Sequence, residues 1–167
     1  MGRTPRVVGN AKRTGQFVGD GGLNDIAEEF DEETFWAVAG EAIAVGEILC
    51  RTHSGAAPNF RNVSRAFGNA GTGFLQIVCG VALTAAPLGE KVRVLRRGVH
   101  PAVVLSVLGG AGATGNAIVL DSGTPGQGAS ISPLTGTTPA HTTVGIQIEA
   151  GTGAGPFTAS VYVSTYF

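Results

Sequence analysis

Apolar and polar residues alternate most clearly at the end of the chain. Val144, Ile146 and Ile148 alternate with Thr143, Gln147 and Glu149, and Phe157, Ala159, Val161 and Val163 alternate with Thr158, Ser160, Tyr162 and Ser164. A period of two marks a strand with one buried face. The Gly-rich loop from Ala150 to Pro156 between the two runs therefore predicts a C-terminal β-hairpin. Upstream, short runs of branched and aromatic residues predict strands at 34–38, 48–52, 74–78, 92–97, 103–107 and 117–120. Gly80 is expected to close the third, and Gly98 to separate the fourth from the fifth. Short strands with frequent turn signals and no intervening helical run predict an all-β domain over 34–167, a small antiparallel β-barrel or sandwich.

The first 33 residues follow neither pattern. Residues 1–22 scatter Arg3, Arg6, Lys12 and Arg13 among Gly, Thr and Pro without an apolar period, which predicts an extended N-terminal arm with no core of its own. It reads either as a tail without fixed structure or as an arm that orders on a partner. In the second case those four cations are the docking contacts. The charge then reverses: Asp25, Glu28, Glu29, Asp31, Glu32 and Glu33 surround Leu23, Ile26, Ala27 and Phe30 at helical spacing. Asp25 followed by Glu28 resembles a capping box, so 23–33 reads as a short acidic helix or a linker.

Composition narrows the class. A chain of 167 residues suits one domain with a proper core. A net charge of -1 argues against a nucleic-acid binder. No apolar run approaches the roughly 18–20 residues of a membrane span, and the N-terminus has cations but no hydrophobic core of a signal peptide. Cys50 and Cys79 are the two cysteines. They are too few for a zinc site, form no CxxC motif, and read as reduced core residues.

Charge distribution says more than net charge. From Gly98 to Phe167 there is no Lys or Arg, and the carboxylates are Asp121 and Glu149. A free-standing domain spreads charge over its surface to stay soluble and separate, so this region is expected to face other protein. Candidate subunit-interface residues are the doublet Arg96 and Arg97, Thr138 and His141 in the loop before the hairpin, and Tyr162, Thr165, Tyr166 and Phe167 at the end of the last strand. A closed homotrimer is the expected assembly.

Catalytic chemistry finds little support. Gly110 to Gly115 matches GxGxxG, but the residues after it read as a strand, whereas a phosphate site needs a helix N-terminus there. His53, His100 and His141 are isolated in sequence, and a spatial Ser122–His141–Asp121 set has nothing to prefer it. No ligand spacing for a metal occurs. We therefore expect no enzyme activity, no cofactor and no metal.

Two segments carry a family likeness. Ala39-Gly-Glu-Ala-Ile-Ala-Val-Gly-Glu-Ile-Leu-Cys50 fits AGxxIxxGxxL, and Gly80-Val-Ala-Leu-Thr-Ala-Ala-Pro-Leu-Gly-Glu-Lys-Val-Arg-Val-Leu-Arg-Arg-Gly98 fits GVALxxAxxGExVxVxxxG. The pattern resembles the small β-barrel cement, or head-decoration, proteins of tailed bacteriophages, over about 34–98 and more loosely in the closing hairpin. Neither the arm nor 109–140 has a counterpart in it. The resemblance implies a structural virion protein on the capsid exterior that bridges neighbouring major capsid protein subunits, often as a trimer. It implies no catalytic residues. A phage fibre or spike module binding host glycans is the alternative reading.

Overall fold

The computed structural model describes residues 32–52, 62–66, 76–106, 112–121, 123–131, 143–150 and 156–165. The expected arm at 1–22 and most of the acidic element at 23–33 lie outside the described residues. Within them the chain is all-β, with β1 (Glu33–Ala39), β2 (Ile48–Thr52), β3 (Asn62–Arg65), β4 (Gln76–Ala82), β5 (Lys91–Leu105), β6 (Ala117–Leu120), β7 (Gly128–Ile131), β8 (Thr143–Gln147) and β9 (Phe157–Ser164).

The strand pairings close twice. One circuit runs β1-β3-β2-β4-β5 and returns to β1; the other runs β5-β7-β6-β8-β9 and returns to β5. Closing a sheet on itself removes exposed edges, which would otherwise recruit other chains. Strand β5 belongs to both circuits. Its first half pairs with β1, its second half with β9, and Arg97 stands opposite both Glu33 and Ser164 at the handover.

Two apolar cores follow from this layout. Ala37, Ile43, Leu49, Val63, Ala82, Val92 and Val94 form one; Ile48, Cys50, Val81, Leu95, Val103, Leu105, Val161 and Val163 belong to the other. Neighbours in sequence such as Leu49 and Cys50, Val81 and Ala82, or Val94 and Leu95 thus point into different cores. Strands buried on both faces read as continuous apolar runs, without alternation.

A backbone clasp joins the two hairpin-like turns of the first circuit. Ala39 N donates to Glu90 O at 2.8 Å, and Ala82 N donates to Glu47 O at 2.9 Å. Gly89 N donates to Ala39 O at 2.8 Å, and Gly46 N to Ala82 O at 2.9 Å. Ile43 and Ala86 exchange both of their bonds, at 2.8 and 3.0 Å. Ala39, Ile43, Gly46 and Glu47 in one turn therefore do what Ala82, Ala86, Gly89 and Glu90 do in the other. The glycines sit at φ 82° and 84°, left-handed values that a side chain disfavours. The turns form a local two-fold repeat.

Four expectations are corrected. Gly80 does not close a strand: β4 (Gln76–Ala82) runs through Gly80 with a bulge opposite Leu49 and Cys50, while positions 74 and 75 of the expected strand lie outside the described residues. Nor does Gly98 separate two strands, because it is paired with Val163 in the middle of β5. Strand β5 is irregular at two other points: Arg96 is extra opposite Glu33 and Thr34, and between His100 and Val103 Pro101 sits in a bulge where its missing N–H costs no ladder bond. Strands β3 and β7, four residues each, went unanticipated because NVSR and GASI are too short and polar to show a period. Finally, the alternation in β8 is inverted. The register shift between Ile118 and Val119 pairs them with Gly145 and Thr143, so Val144 is extra and the phase flips after it. Gln147 points inward, fully buried, while Ile146 and Ile148 face out.

The buried Gln147 is satisfied. Its Oε1 accepts from Ser130 Oγ at 2.8 Å, and its Nε2 donates to the carbonyls of Gly112 at 3.1 Å and Glu149 at 2.7 Å. Asn116 Nδ2 donates to the same Ser130 hydroxyl at 3.0 Å. A buried amide without these partners would cost about 1–3 kcal/mol.

His100 is buried between the circuits. Ala102 N donates to its Nδ1 at 3.1 Å, which places the ring proton on Nε2, where it donates to Ala82 O at 3.1 Å. Burial holds its pKa below the ordinary 6.5, against an opposing pull from the Ala82 bond. The unfolded chain therefore binds the proton first as pH falls. Stability from the neutral ring is complete above about pH 6.5 and is lost as pH drops toward the folded pKa. Melting temperature should fall through that window, and His100→Gln, which can keep both bonds without titrating, should flatten this part of the profile. Gly80 lies at φ 147°, and a Cβ there would collide with the Leu95 carbonyl oxygen. Gly80→Val should cost at least about 2 kcal/mol in denaturant unfolding.

Candidate functional site: an exposed apolar row

The inverted phase of β8 builds a surface. Val99 on β5 stands opposite Tyr162 on β9, and Tyr162 stands opposite Ile146 on β8. Three neighbouring strands thus carry one continuous row of large side chains on the solvent face. Val99 is 45% exposed and Ile146 53%. Ile148 extends the row, held by its N–H to Ser160 O at 2.8 Å. Single exposed apolar residues are ordinary, whereas a contiguous row of them marks an interaction surface. Arg97 fixes one end by donating from Nε to the Tyr162 hydroxyl at 3.3 Å.

The expected interface residues divide. Arg97 and Tyr162 come together on this face. Arg96 points elsewhere, donating from Nε to Thr165 O at 3.4 Å. Thr165 is buried within the chain itself, with its N–H and hydroxyl both on Arg96 O at 3.1 Å. It fastens the end of β9 to β5. Thr138, His141, Tyr166 and Phe167 lie outside the described residues, as do Arg3, Arg6, Lys12 and Arg13. Val99, Ile146 and Ile148 were not singled out from sequence, since strict alternation put the two isoleucines inside.

A second feature lies where the starts of β1 and β4 meet the end of β2 and the middle of β5. A cleft of about 580 Å³ is lined by Glu33, Thr34, Phe35, Trp36, Arg51, Ile77, Val78, Cys79, Arg96 and Thr165. Trp36 is 62% exposed. The Arg51 guanidinium lies 5.6 Å from the centre of the Phe35 ring, a cation–π distance.

Among the described residues, Asp121 and Gly115 have structural partners. Asp121 is buried and accepts the N–H groups of Gly123 at 3.2 Å and Thr124 at 3.1 Å, closing a turn; Ser122 and His141 lie outside the described residues. The residues after Gly115 form strand β6, and the Gly115 N–H donates to Gln147 O at 2.8 Å. That part of the GxGxxG match is a turn packed over a buried glutamine. Among the described residues no group of three or more His, Cys, Asp or Glu side chains could hold a metal. Cys50 and Cys79 are not joined in a disulfide. They lie on neighbouring strands but point to opposite faces, Cys50 in one core and Cys79 against the other.

With this geometry defined, comparison with known proteins becomes informative. No protein-family model matches the sequence, and no curated protein matches it. Among solved structures, the head fibre gp8.5 N base of bacteriophage phi29 is similar at a TM-score of 0.51 and 17% identity. The likeness covers 80% of this chain and 95% of that one. The chain shares the fold of a phage head-fibre base.

Burial, then the neighbouring Cys50 thiol, push the Cys79 thiol up to about 12, with Arg51 pulling weakly the other way. The thiolate is the reactive form. In the folded protein Cys79 should therefore resist iodoacetamide at pH 8, and after denaturation intact mass should show alkylation of both cysteines.

Proposed function

We propose that this protein is a structural component of a phage virion, docking on the outer surface of the capsid and bridging neighbouring major capsid protein subunits. The observation that carries the reading is the fold shared with a head-fibre base over nearly the whole of that module. Two features support it. The residues that resemble the cement-protein pattern are those of the backbone clasp, so the likeness falls on the part that sets the fold. The exposed Val99–Tyr162–Ile146 row also supplies an apolar contact surface in a region almost without charge. The role is mechanical and not catalytic. A protein that binds an assembled lattice, and not its free subunits, stabilises the lattice by mass action.

Self-association into a homotrimer fits this role, since a closed ring presents several docking arms at once and gains from effective concentration. A second reading, the base of a head fibre, is favoured by the structural neighbour being a head-fibre base. There the same face would carry a distal fibre in place of the shell, and the fibre would be the part that meets host glycans.

Co-sedimentation with emptied capsids of the parent phage tests the proposal. Wild type should pellet with shells and raise their melting temperature. Ile146→Lys and Val99→Lys should lower occupancy at least tenfold while costing no more than about 1 kcal/mol of stability, the span of strand propensities. Wild type that stays in the supernatant would overturn the capsid role. Sedimentation velocity of the free protein checks the trimer.

A further inference from the structure

The cleft beside Trp36 shares no lining residue with the apolar row, although both draw on β5. Its described walls combine an apolar floor with unequal charge. Ile77, Val78, Cys79 and Phe35 supply the floor, Trp36 stands at the rim, and Arg51 and Arg96 face it against the single carboxylate Glu33. The Arg96–Glu33 contact is 4.0 Å long, and Glu33 is 59% exposed, so this pair is weak and solvent-screened. A carboxylate brought to the cleft would meet two guanidinium groups, one of them oriented by stacking on Phe35.

We propose that this cleft binds a short extended peptide in which an apolar side chain stands beside a carboxylate, as a partner's acidic segment would present it. Charge complementarity selects the acidic residue, and the apolar floor selects its neighbour. A sugar fits less well. Its hydroxyls need polar partners on several sides, and the floor offers hydrocarbon and a thiol. Mostly apolar clefts with a few placed polar groups are the ordinary form of a binding site, and a volume of about 580 Å³ takes a few residues. This inference rests on the virion reading in one respect: the peptide belongs to a structural partner.

Trp36 is the chain's single tryptophan, so the site carries its own reporter. The intact protein is titrated with the peptide acetyl-Glu-Phe-Asp-Leu-amide, with acetyl-Lys-Phe-Lys-Leu-amide as the charge-reversed control and digalacturonic acid as the sugar control. The acidic peptide should blue-shift or quench the emission saturably, and the two controls should not. Binding should weaken at least tenfold in Arg51→Gln/Arg96→Gln, and steadily with added salt. As a check on folding, the variant should keep a cooperative melt. Arg51→Lys/Arg96→Lys, which retains the charge, should recover part of the affinity. A response to the basic peptide or to the sugar alone would overturn the assignment, and so would no response to any of them. The two proposals fail separately. A protein that binds the acidic peptide but never pellets with capsids loses the capsid role and keeps the peptide site. One that pellets normally but ignores the peptide loses this site alone.

Discussion

The first circuit is organised by a set of reciprocal backbone hydrogen bonds between two turns. Ala39 and Ala82 each donate into the opposite turn, Gly46 and Gly89 return the bond, and Ile43 and Ala86 lock the centre. These bonds cross the barrel at the point where β1 hands over to β2 and β4 to β5. Glycine is favoured at positions 46 and 89 because each turn needs a left-handed backbone there, at φ 82° and 84°. Buried backbone groups must be paired, and here each turn satisfies the other. Neither turn can therefore be shaped correctly alone. The clasp couples residues far apart in sequence, so closing it is a tertiary event even though each turn is local.

Strand β5 carries that constraint to the rest of the molecule. It leaves the clasp at Lys91, runs through both circuits, and serves each core from one of its faces. Its handover at Arg97 and its bulge after His100 set the position of β9, and β9 in turn sets the register of β8. The exposed row thus depends on geometry established several strands away. A strand shared by two closed circuits also explains a buried His100. The imidazole ties the bulge of β5 to the end of β4 through Ala82, a residue of the clasp.

The two surface features make different physical demands. The Val99–Tyr162–Ile146 row is broad and nearly uncharged, suited to a lasting contact driven by removal of apolar area from water. The cleft beside Trp36 is small and cationic, suited to selecting one segment. Edge-free circuits keep the protein from polymerising through its strands before it meets a partner.

Sequence alone determined the class of this protein. Short runs rich in Val, Ile and aromatic residues, punctuated by glycine, admit few solutions other than closed β architecture, and the bounds of β2 and β6 fall where Ile48-Leu-Cys-Arg-Thr52 and Ala117-Ile-Val-Leu120 put them. The scarcity of charge after Arg97 raised the expectation of a contact surface, and Arg97 and Tyr162 meet on one exposed face, where Arg97 donates to the Tyr162 hydroxyl. The likeness of Ala39–Glu47 to Ala82–Glu90 was present too, as two motif halves, though their reciprocal pairing could not be read without the third dimension. What the tertiary structure decided was phase. A single extra residue at Val144 turns Gln147 inward and Ile146 outward, and partner strands carry β4 through Gly80 and β5 through Gly98. A local pattern records which residues alternate, but which face is buried depends on register against neighbours, and one bulge reverses it.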